Sequence, residues 1–127
     1  MSFLEHPSLK GIDGITFLDG TLYVNNVMTN HIYRVPVDAS GKTGEPVDIS
    51  LDQPVQGPDG MRAANGKLFV AENHGGKISA ISVNGDKATV TVIKDGLQTP
   101  TGVEPAGDTL WITERKTGKV YSLPLPK

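Results

Sequence analysis

Two aspartates stand directly before glycines at matching places in a repeated chain, Asp13-Gly14 and Asp59-Gly60, and the third such place holds Thr101-Gly102. Carboxylates converging from neighbouring repeats are oxygen ligands suited to a hard cation such as calcium. Calcium takes several oxygens at about 2.3–2.6 Å and needs neither thiol nor imidazole. A cation held there polarises a carbonyl and lowers the pKa of its bound water. The same aspartates also read as turn residues, because Asp beside Gly commonly bonds its own turn.

A second polar column follows. Asn26, Glu72 and Glu114 occupy one repeat position, with Val27, Asn73 and Arg115 next to them. Loops at these points should lie on the face where the aspartates emerge, so Glu72, Asn73, His74, Arg115 and Thr101 are candidates to line the mouth of a site and touch a ligand. The opposing reading is that such side chains hold tight loops by accepting from backbone N–H groups. That reading is preferred for Asn26 and stays open for Glu72 and Glu114. The three histidines, His6, His31 and His74, fall at unrelated repeat positions, so no zinc cluster is expected. The chain has no Gly-x-Ser-x-Gly elbow and no phosphate-binding glycine loop, which disfavours serine-nucleophile and nucleotide chemistry.

The elements that must position these residues recur three times. Gly11–Val37, Gly57–Val83 and Thr99–Leu125 align without a gap over 27 residues each, at periods of 46 and 42 residues. Gly14, Gly60 and Gly102 share a column, as do Leu22, Leu68 and Leu110. The aromatic residues Tyr23, Phe69 and Trp111 form the next column and are expected to build the repeated core. The period is that of a four-stranded propeller blade, about 40–50 residues. Each unit reads as an inner strand (Gly14–Leu18, Gly60–Ala64, Gly102–Pro105), a second strand (Thr21–Asn26, Lys67–Glu72, Thr109–Glu114) and an alternating third strand. Asp19-Gly20 and Asn65-Gly66 are hairpin turns between the first two strands. A fourth, outer strand reads as Pro46–Leu51 in the first unit and Ala88–Ile93 in the second, and the third unit shows none.

The fold class is therefore all-β, a half-propeller of three blades over residues 11–51, 57–93 and 99–125, in one domain spanning 1–127. Rings normally need about four to eight blades, so three cannot close. An open stack would expose blade faces and strand edges. A homodimer making six blades is the expected solution, with residues 2–5 of each chain as a possible closing strand in the third blade. A fragment of a longer protein is the alternative.

Twelve Lys and Arg against fourteen Asp and Glu give a net charge of −2 over 127 residues, with no basic stripe for nucleic acid. No apolar run approaches a membrane span. With no cysteine, disulfides and thiolate metal sites are excluded. Met1–Pro7 has no charged n-region or apolar h-region, so the expectation is a cytoplasmic protein, with a periplasmic or secreted parent left open.

The motifs Gly57-Pro58-Asp59-Gly60-Met61-Arg62, Leu22-Tyr23-Val24-Asn25-Asn26, Leu68-Phe69-Val70-Ala71-Glu72-Asn73 and Asn30-His31-Ile32-Tyr33-Arg34-Val35 resemble the SMP-30/gluconolactonase/LRE-like family of six-bladed propellers, in its C-terminal half. The resemblance implies a divalent metal, often calcium, at the channel mouth and a lactonase-type ring opening. It implies that Asp59 is both a metal ligand and the acid–base residue, and that Asp13 is a ligand where the family usually has asparagine. Thr101 is a poorer ligand in the same column, and the family's first-blade glutamate has no counterpart here. The implied partners are a lactone or sugar-acid ligand and a second copy of the chain. A catalytically silent binding module is the competing reading, since a propeller alone does not specify function.

Overall fold

The computed structural model describes residues 4–127. Alternating apolar residues and tight glycine turns make three sheets, antiparallel except at one outer edge. The first contains β1 (Ile12–Leu18), β2 (Thr21–Asn26), β3 (His31–Val35) and β4 (Val47–Asp48) in that order. The second is built from β6 (Pro58–Ala64), β7 (Lys67–Glu72), β8 (Lys77–Asn84) and β9 (Lys87–Lys94), with β5 (Ser50–Leu51) along its outer edge. The third has β10 (Pro100–Ala106), β11 (Thr109–Glu114) and β12 (Lys119–Pro124). The β1–β2 and β6–β7 turns place both central residues at positive φ, 50° and 77° for Asp19-Gly20 and 51° and 74° for Asn65-Gly66. This is the twist a two-residue hairpin requires.

The outer strand expected over Pro46–Leu51 is divided. β4 pairs with β3, whereas β5 leaves the first blade and runs parallel to β9 of the second. The break falls at Ile49, whose N–H donates to the Ile32 carbonyl at 2.9 Å while its side chain is buried between the two blades. One residue later the Ser50 N–H donates to Asp86 O, already on the neighbouring sheet. Anchoring Ile49 in the inter-blade core thus carries the chain from one outer edge to the next.

Blades stack face to face. Tyr23, Ile32 and Ile49 of the first pack on Met61, Leu68, Val70 and Ile81 of the second. Phe69, Ala71, Ile78 and Ala80 of the second pack on Val103, Leu110 and Ile112 of the third. Trp111 shares the column of Tyr23 and Phe69 and points the same way, but it is 46% exposed where a core position was expected. Among the described residues no further blade covers it. Trp111 keeps the register of Tyr23 and Phe69, and burial in this column depends on a following blade.

The sheets remain open, and among the described residues β12 has no strand on its outer edge. Of the segment 2–5 expected to close the third blade, Ser2 and Phe3 lie outside the described residues. Leu4 and Glu5 are not in a strand. A 3-10 turn at Pro7–Leu9 follows, and Leu4 and Leu9 pack on Leu22, Val24, Tyr33 and Val35 of their own first blade. No helix among the described residues is long and apolar enough to cross a membrane.

Candidate metal and acid–base site

The inner strands start two residues earlier than their patterns suggest, and the reason lies in the site. Pairing of β1 with β2 shifts between Ile12 and Ile15, that of β6 with β7 between Pro58 and Met61, and that of β10 with β11 between Pro100 and Gly102. Asp13, Asp59 and Thr101 fall inside these three irregularities. A bulge re-aims a side chain out of the sheet's alternation. The repeated bulge therefore delivers the same column from adjacent blades to one end of the inner strands.

Close backbone approach brings the columns together. A Cβ on Gly14 would overlap the Asp59 carbonyl oxygen, and one on Gly60 would stand 2.6 Å from that of Thr101. Only glycine admits this spacing. Asn25, fully buried on β2, accepts from the Gly14 N–H at 2.8 Å and donates through Nδ2 to the Asp59 carbonyl at 2.8 Å. It locks the first inner strand to the second.

The structure brings Asp13 and Asp59 into hydrogen-bond contact. Burial, the hydrogen bond with Asp13 and the Asp13 charge push the Asp59 carboxyl up to about 6. Its hydrogen bond with Asn73 and the positive charge of Arg115 oppose that rise. Asn73 Nδ2 donates to Asp59 Oδ2 at 3.1 Å, while its own Oδ1 is buried without a hydrogen-bond partner. Thr101 turns to Thr113, hydroxyl to hydroxyl at 3.1 Å. His74 is exposed on the loop beside Gly57.

Glu72 is used differently from the mouth-lining role considered for it. It is 1% exposed, accepts from the Gln56 N–H at 2.8 Å and takes a hydrogen bond from the Ser79 hydroxyl. Glu114 likewise accepts from the Thr99 and Lys116 N–H groups, and Asn26 from those of Met28 and Thr29. The whole column clamps loops, as the opposing reading held. Asn25 was missed because it shares its column with Ala71 and Thr113, neither of which carries an amide, so the repeat gives no sign of a side chain that bridges two blades.

Two carboxylates forced into contact, with an orphaned amide oxygen nearby, suit a hard cation in donor type. They make only part of a shell. Among the described residues no group of three or more His, Cys, Asp or Glu side chains is arranged to hold a metal.

A model of the SMP-30/gluconolactonase/LRE-like region matches residues 14–116. The chain belongs to this family. No curated protein matches it. Among solved structures, the calcium-binding protein regucalcin from Agrobacterium tumefaciens is 20% identical with a TM-score of 0.72, over 90% of this chain and 45% of that one. A gluconolactonase from Xanthomonas campestris is 21% identical with a TM-score of 0.70, covering 91% and 38%. A chain of a nidogen/laminin complex is 24% identical with a TM-score of 0.74, covering 96% and 47%. At these identities the likeness establishes the propeller fold, and the chain spans less than half the length of each of the three.

Proposed function

We propose that the chain supplies the site of a metal-dependent, lactonase-like hydrolase opening a lactone or sugar-acid ring at a propeller channel mouth, within a six-bladed ring formed by two copies. The observation carrying this reading is the Asp13–Asp59 pair. Burial and Asp13 raise the Asp59 carboxyl to about 6, so near neutral pH it can accept a proton from an attacking water and return one to the departing ring oxygen. Asn73 orients Asp59 through its 3.1 Å hydrogen bond. Arg115 brings positive charge near Asp59, where a substrate carboxylate or developing oxyanion would be favoured. Thr101 and His74 would contribute to the rim of the site.

Asp13 and Asp59 would hold the cation, calcium being the expected one, and it would supply carbonyl polarisation and an acidified water. Membership of the gluconolactonase family and a calcium-binding neighbour support both parts of the reading. The test is lactone hydrolysis and calcium calorimetry on the wild-type chain and on Asp59→Asn. Activity lost in the variant and in chelator supports the proposal. Absent calcium heat and absent hydrolysis in the folded wild-type protein would favour a non-catalytic binding module, a reading favoured by the nidogen/laminin likeness.

A further inference from the structure

Among the described residues both ends of the blade stack are open, and they are open in matching columns. On the leading face of a blade, the inner-strand positions are Ile15 in the first, Met61 in the second and Val103 in the third. Met61 and Val103 are buried under the preceding blade, whereas Ile15 is 54% exposed and its neighbour Phe17 59% exposed. On the trailing face the columns are Tyr23, Phe69, Trp111 and Ile32, Ile78, Val120. The first two members of each are buried under the following blade, but Trp111 is 46% and Val120 68% exposed.

The glycine column shows the same vacancy. Gly14 and Gly60 each lie against the carbonyl of the residue before the next blade's glycine, Asp59 and Thr101. A Cβ on Gly102 would meet only Thr113 Oγ1 of its own blade, at 2.8 Å. The residue that precedes a glycine and is left without such a neighbour is Asp13.

We propose that two copies of the chain close head to tail, the trailing face of the third blade in each receiving the leading inner strand of the first blade in the other. The backbone of Asp13 from the second copy would seat against Gly102, setting its carboxylate beside Thr101 as Asp59 stands beside Asp13 within one chain. This rests on the six-bladed ring of the proposed function, whose mouth is incomplete without the second copy, and not on its lactone chemistry. The occupant follows from continuity with the two blade interfaces already present, which use the same columns in the same order. The segment Leu4–Leu9 covers only the β2 and β3 part of the leading face and leaves its inner strand open. Heterologous contacts either close or run on as filaments. Two sets of three blades reach a number that closes, within the usual range of about four to eight.

The test is sedimentation of the full chain in chelator, with Val120→Glu and Phe17→Glu, both at side chains exposed in the single chain and so compatible with its fold by circular dichroism. Expected are a two-chain mass for the parent and a one-chain mass for each variant. Mixing the two variants at high concentration should restore a two-chain species, because one of the two interfaces is then unmutated. A one-chain parent, or one larger than two chains, overturns the proposal. So does a Phe17→Glu chain that still pairs, which would mean two third blades meeting face to face, or a mixture that stays wholly single. A one-chain parent that retains calcium heat removes the pairing alone. A two-chain parent without hydrolysis removes the chemistry alone.

Discussion

Asn25 joins two blades through one side chain, accepting from Gly14 N–H and donating to the carbonyl of Asp59, both at 2.8 Å. The amide is fully buried, so both backbone groups depend on it. Asn25→Ala should destabilise the chain by about 1–3 kcal/mol, the cost of leaving buried partners unsatisfied. Because the lost bond holds the backbone of Asp59, calcium affinity should fall as well. Urea denaturation and calcium calorimetry check the two effects separately.

Glu72 should behave as a structural residue. Glu72→Gln keeps the size but replaces one carboxylate oxygen by an amide donor that faces either the Gln56 N–H or the Ser79 hydroxyl. A loss of about 1.5–3 kcal/mol is expected, the range for a hydrogen bond to a charged acceptor. Calcium heat in the folded fraction should be unchanged, and a selective loss of binding would place Glu72 in the site after all.

These two residues mark where sequence reading succeeds and where it stops. Column identity placed Glu72 with Asn26 and Glu114 at equivalent strand ends, and one mechanism, bonding of loop N–H groups, serves all three. The second strands were legible to the residue because hairpin turns and β-branched runs are local signals. Asp13 and Asp59 were legible as a pair because the repeat superposes them. The bulges that carry them were not, since a register shift follows from how two blades pack. The crossover at Ile49 was hidden for the same reason: an apolar residue in a strand pattern does not say which of two sheets its successor joins.

Phe69 and Trp111 offer a direct comparison, since they share a column and differ in cover. Phe69→Ala should cost about 3–5 kcal/mol, as for a fully buried aromatic. Trp111→Ala, measured where the chain is single, should cost no more than about 2 kcal/mol, because nearly half of its surface is already in water. Thermal unfolding at low concentration tests this, and equal losses would mean that Trp111 is covered in the single chain.

Asp59 predicts how metal-free stability responds to pH. Its carboxyl titrates near 3.8 when unfolded and at about 6 in the folded chain. Between these values the folded protein holds a proton that the unfolded chain has released, so stability falls as pH rises through that window and levels off above it. The carboxyl is only partly buried, so solvent screening limits the size of the fall. Asp59→Asn removes the titrating group and should flatten the melting temperature between about pH 4 and 6, leaving the variant more stable than the parent at pH 7 in chelator. Calcium should reverse that ranking by relieving the repulsion between Asp13 and Asp59 in the parent, stabilising it by mass action while the variant gains little. Melting curves across this window, in chelator and in calcium, read both effects. A parent whose stability stays as flat between pH 4 and 6 as that of Asp59→Asn would mean that burial and Asp13 do not raise the Asp59 carboxyl in the folded chain.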